Sequence, residues 1–110
     1  MLFMQPQEFF DKAASVPGLG REEELACARA MAAGDESARR RLVEGYLPMV
    51  AGVIRRLAEG EQSLELIYRC CAALEKAVDG FNFLQEGEHF SHRLSWHLRQ
   101  TIVRWQVDRR

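Results

Sequence analysis

Apolar positions along this chain recur with the spacing of helices. There is no alternating β-branched run and no hairpin built on an Asn-Gly or Asp-Gly pair, so strands are not expected. Pro6 suits a helix start, and Phe9, Phe10 and Ala13 share a face, which predicts a short helix over 6–15. The stretch "SVPGLG" breaks it. A second helix is predicted over 21–33, with Glu22, Glu23 and Glu24 as helix-start charges at the positive end of its dipole. Its apolar face is thin, made of Leu25, Ala28 and Ala32, and Gly34 ends it.

Asp35 is a good N-cap for a long third helix over 36–59, in which Leu42, Tyr46, Met49, Val53 and Leu57 repeat at helical spacing. Pro48 lies inside that pattern and removes a backbone donor, so the helix should kink or split near 44–48, and "EGEQ" should close it. Ser63 caps a fourth helix over 64–79, whose stripe is Ile67, Cys71, Leu74, Val78 and, just past its end, Phe81. "GFNFLQEGEH" reads as a loop bearing two exposed-looking aromatics, Phe81 and Phe83. A last helix over 90–107 turns Leu94, Leu98, Ile102 and Trp105 inward and Arg93, Trp96, Gln100 and Arg104 to another side. The expected fold is all-α, a compact bundle of four or five helices in a single domain over 1–110.

Composition narrows the class. Of 110 residues 47% are apolar, enough for a small core, and no apolar run approaches the roughly 18 residues of a membrane span. The start "MLFMQPQEFF" lacks a basic region and a cleavage site, so no signal peptide and a cytoplasmic location are expected. Cys27, Cys70 and Cys71 form no CxxC pair and read as buried thiols. His89, His92 and His97 are spaced i, i+3, i+8, and no carboxylate or thiol completes a recognisable ligand set with them, so neither metal nor cofactor is expected. The chain offers no nucleophile–base pair, phosphate loop or paired carboxylates, which argues against an enzyme.

Charge adds a direction. Residues 90–110 carry five arginines against Asp108, a sum of +4, whereas residues 1–89 hold ten basic and fifteen acidic side chains, a sum of −5. A basic end on an acidic body points to an oriented contact with an anion, nucleic acid first, with a solvated terminal helix as the plain alternative.

The stretch "FSHRLSWHLRQTIVR" resembles region 2 of sigma-70 family factors, the promoter-recognition subunits of bacterial RNA polymerase, which typically reads F-S-T-Y-A-x-W-W-I-R-Q-A-I-x-R. Phe90, Ser91, Trp96, Arg99, Gln100, Ile102 and Arg104 coincide without gaps. Upstream, "LELIYRCCAALEKAVDGFN" and "REEELACARAMAAGDESARRRLVEGYLPMVAGVIRRL" are similar to the preceding family segments, so the likeness covers 21–105. The resemblance implies a module that binds the melted non-template strand of minus-ten-type promoter DNA and the clamp of core RNA polymerase. It implies that Trp96 wedges at the duplex fork, Arg99 and Arg104 hold phosphates, Gln100 faces the last paired base and Phe81 lines a pocket for a flipped base. Phe81 also reads as core packing, and Arg99 and Arg104 as solvated charges; Trp105 reads as core.

The chain departs from that family in specific places. The stacking tyrosine is Arg93 and the second tryptophan is His97, both still expected at the DNA surface. The basic loop before the last helix is "LQEGEH", where Glu86 and Glu88 should weaken phosphate binding. On the expected polymerase face, Q-E-G-N is replaced by Tyr68, Arg69, Cys70 and Cys71, with Glu65 keeping only acidic character; Glu65, Tyr68, Arg69 and Cys71 are the candidate contacts there. No helix-turn-helix region follows in this sequence, which leaves three expectations open: a second subunit that carries one, a reduced regulator, or a piece cut from a longer chain. The competing reading is a repurposed sigma-fold interaction module or regulator that does not open DNA.

Overall fold

A computed structural model describes residues 2–58, 63–85 and 87–109. Stretch 59–62, read above as the close of the third helix, and Glu86 lie outside the described residues. The described residues form six helices and no strand: α1 (Pro6–Ser15), α2 (Arg21–Ala32), α3 (Glu36–Gly45), α4 (Leu47–Leu57), α5 (Leu64–Gly80) and α6 (Phe90–Asp108). No described helix is long and apolar enough to cross a membrane.

The long third helix is split, not kinked. Pro48 sits in the first turn of α4, where its missing N–H goes unneeded, and Tyr46 between the helices takes φ −101° and ψ 0°. The split rotates the buried face. Leu42 and Val53 are buried as expected, but Tyr46, Met49 and Leu57 are half-buried, and Val43, Leu47, Val50, Ala51 and Ile54 complete the core instead.

The α2–α3 corner is dictated locally. Gly34 (φ +97°) ends α2: its N–H donates to Met31 O at 2.9 Å, and Asp35 N–H donates to Ala30 O at 3.0 Å. Asp35 then caps α3, its Oδ1 accepting from Ser37 N–H at 2.9 Å and Ala38 N–H at 3.2 Å. One expectation for α2 needs correction: Ala32 is exposed and Leu25 only half-buried. Glu24 stands in the first turn with Glu22 and Glu23, as expected of a helix-start charge, and is buried. Its carboxylate accepts from the Tyr46 hydroxyl and from Arg21 Nη1 at 3.2 Å, which makes burial tolerable.

α6 packs chiefly along α5, and α4 bridges α1, α5 and α6. Leu94, Leu98, Ile102 and Trp105 are buried, as are Ile67, Cys71, Leu74 and Val78 of α5. Arg39 forks Asp79 (Nε–Oδ1 2.7 Å, Nη2–Oδ2 2.9 Å), pinning α3 to the end of α5. Phe83, expected to be exposed, is buried: its ring lies 4.8 Å from Phe90 and 5.0 Å from Phe81, because the loop folds back over the start of α6.

Leu98→Ala should lower stability by about 2–5 kcal/mol, whereas Val103→Ala, on the solvent side of the same helix, should change it by less than about 0.5 kcal/mol. Urea unfolding of the two variants reads the difference. A second expectation concerns acid. The hydrogen bonds from Arg39 hold the Asp79 carboxyl below the ordinary range. Its folded value is depressed, so its contribution is complete above the ordinary carboxylate value and fades as pH falls through the lowered one. The stability gap between the native chain and Asp79→Asn should be present at neutral pH and close in acid; a gap that widens in acid would contradict the pairing.

Candidate nucleic-acid interface

Burying the Leu94–Leu98–Ile102–Trp105 stripe leaves the opposite side of α6 outward. Trp96 is 56% exposed, and Trp105 is 1% exposed. Arg93, Trp96, His97, Gln100 and Arg104 then fall along one wall of a groove of about 740 Å³ between α6 and α5. The facing wall is Arg69, Lys76 and the small residues Ala72, Ala73, Ala77 and Gly80, with Phe81 at one end. No carboxylate lines it among the described residues.

Trp96 forms a ridge. Its indole meets the His97 ring edge-on at 5.2 Å and 78°. On its other flank lies a shallower depression with Met49, His89, His92 and Arg99. Of the residues singled out from sequence, Phe81, Arg93, Trp96, His97, Gln100 and Arg104 thus share the groove, and Arg99 stands on the far side of the ridge. Phe81 is half-buried, its ring 5.3 Å from Phe90 at 63°, so it packs and lines the groove at once.

The cations differ in availability. Glu88 forks Arg93, with Nε–Oε1 at 2.9 Å and Nη2–Oε2 at 2.8 Å. Arg69 reaches Glu65 at 2.9 Å and Asp108 at 3.4 Å. Lys76, Arg99 and Arg104 have no ion-pair or hydrogen-bond partner among the described residues.

The four residues expected on a polymerase face do not form one surface. Cys71 is buried in the core, 5% exposed, and burial pushes its thiol up to about 11 and that of Cys70 to about 12. A surface contact through Cys71 is therefore corrected: helix phase turns it inward with Ile67 and Leu74. The Tyr68 hydroxyl is taken by the chain's own start, accepting from Phe3 N–H at 2.6 Å and donating to Phe3 O at 2.7 Å. Glu65 and Arg69 remain outward. The reading of the sequence missed Lys76 and the small-residue floor; their signal was Ala72, Ala73, Lys76, Ala77 and Gly80 at i+3 and i+4 steps beside the core stripe of α5.

No family model matches the chain. Curated proteins do. The chain is 38% identical over 94 residues to RNA polymerase sigma factor SigA of Clostridium acetobutylicum and 36% identical over 94 residues to SigA of a Bacillus species. It is 37% identical over 91 residues to SigA of Listeria monocytogenes. These matches take in 82–84% of the chain and 24–25% of each relative, so the chain spans about a quarter of the length of the curated relatives it matches.

The two indoles should separate in solution. Trp96→Phe should remove the acrylamide-accessible part of the fluorescence and leave the blue-shifted emission of Trp105, with stability changed by less than about 0.5 kcal/mol. Loss of the shielded component instead would contradict the assignment of faces.

Proposed function

Since this chain is a sigma-70 family region-like protein, we propose that it serves as a sigma-like transcription-initiation module, binding the melted strand of minus-ten-type promoter DNA through α6 and the clamp of core RNA polymerase through α5. The observation that carries this reading is the exposed Trp96 at the rim of a groove with cationic walls and no carboxylate among its described lining residues.

Each group suits a step of strand capture. An unpaired base stacks on the Trp96 indole, a contact of about 1–3 kcal/mol. His97 backs that ring, and Phe81 offers an apolar edge where the groove ends. Arg104 on one side of the ridge and Arg99 on the other meet successive phosphates. Gln100, one turn beyond Trp96, presents donor and acceptor together, which is what a paired contact to a base edge requires. On α5, Glu65 and Arg69 face outward for polymerase.

A second reading, a protein-interaction module that does not open DNA, draws on the same α5: Cys71 is buried, the hydroxyl of the half-buried Tyr68 is occupied by Phe3, and Arg69 is already paired. The two readings part at Trp96.

Fluorescence anisotropy with an A/T-rich single-stranded oligonucleotide at low salt, with and without core polymerase, tests the proposal. Trp96→Ala should weaken binding roughly five- to a hundredfold. Binding absent under both conditions, or indifferent to Trp96→Ala while a protein partner is still captured, would reject strand capture and leave the second reading.

A further inference from the structure

Glu88 and Arg93 stand at the mouth of the groove, in a cleft of about 410 Å³ shared with His92, Trp96 and His97. The cleft has flat walls and a cation, suited to a nucleotide, yet it holds a carboxylate. That carboxylate is aimed. Gly87 takes φ +104°, a backbone state that residues with a Cβ rarely adopt, and sets Glu88 just ahead of α6. From there it does not cap the helix: His89 is the N-cap of α6, and its side chain makes no cap hydrogen bond either. Both oxygens go instead to Arg93, in the planar geometry by which arginine also grips a phosphate.

We propose that Glu88 is an internal competitor for the phosphate that Arg93 would otherwise hold, and so sets the affinity of the groove for a phosphodiester strand. This rests on the reading of the groove as a nucleic-acid surface. The two side chains are 46% and 36% exposed, so a strand can reach the pair, and its phosphate, offering Arg93 the same fork, displaces Glu88 rather than being shut out. The cost is one lost phosphate contact and a local negative charge beside the Trp96 ridge. The carboxyl lies below its ordinary range because of its bonds to Arg93, so it stays ionised, and the competition operates, throughout the neutral range.

The test is a double-mutant cycle on the full chain, read by anisotropy with an A/T-rich single strand and a scrambled one across a salt series. Glu88→Gln should tighten binding roughly two- to fivefold at low salt and steepen the salt slope by about 0.7, one phosphate's worth. In the Glu88→Gln background, Arg93→Gln should remove that gain and cost several times more than it does in the native background. A gain that survives Arg93→Gln would mean that Glu88 acts by general repulsion, and would overturn the proposal, as would no gain at all. Equal affinity for the two strands with the cycle intact would sink the promoter reading and leave this one standing. If no variant bound either strand, both would fail.

Discussion

The rotation of α6 about its own axis is the constraint on which the rest depends. Four side chains, Leu94, Leu98, Ile102 and Trp105, are at most 1% exposed, and each contributes about 1.5–3 kcal/mol by leaving water. Successive residues turn by about 100°, so Trp96 is held far from that stripe. Rolling the helix to bury one indole would expose the whole stripe. The outward tryptophan is therefore an enforced consequence of core packing. The same rotation places Arg93, Gln100 and Arg104 on the groove side and Arg99 beyond the ridge.

The helix is also fixed at both ends by the α3–α4 unit. At its start, Phe90 meets the Tyr46 ring at 4.8 Å and 69°. At its end, Gln106 Nε2 donates to Leu57 O at 3.4 Å. Tyr46 can reach Phe90 only because the backbone breaks there, between Gly45 and Leu47. Its hydroxyl is anchored by Glu24 from α2, and its ionisation is pushed well above the ordinary range by burial first and then by that carboxylate. A neutral phenol donating to a buried carboxylate thus links the second helix, the break before Pro48 and the first turn of α6. A polar group in the core orients an element that carries the candidate site.

Much of this was legible in the chain because the signals were local. Pro6, Asp35, Pro48 and Ser63 mark helix starts by chemistry confined to one turn, and the α5 and α6 stripes are periodic. What escaped was long-range. Tyr68 meets Phe3 across 65 positions, and Glu24 meets Tyr46 across 22. Phe83 lies in a loop without period, so nothing in its spacing announced burial against Phe90. Cys71 was legible in its phase, as a member of the core stripe, but the family alignment pulled it towards the surface; periodicity was the better guide. The pairing of Glu88 with Arg93 depends on a loop conformation set by Gly87, and the charges alone showed only that an anion was near.

These electrostatics bear on how such a groove would work. Around the Trp96 ridge and the groove, Lys76, Arg99 and Arg104 are the described cations without partners, while Arg69 and Arg93 are bound to the chain's own carboxylates. Three phosphate contacts on a single strand give a salt slope of only about −2, far from that of a protein that grips a duplex by charge. On the proposed reading, stacking on Trp96 would have to add to those phosphate contacts, and it needs a base already out of its stack. A surface of this kind would be weak on closed DNA and would favour an open strand. That preference would follow from the scarcity of free cations as much as from the exposed indole.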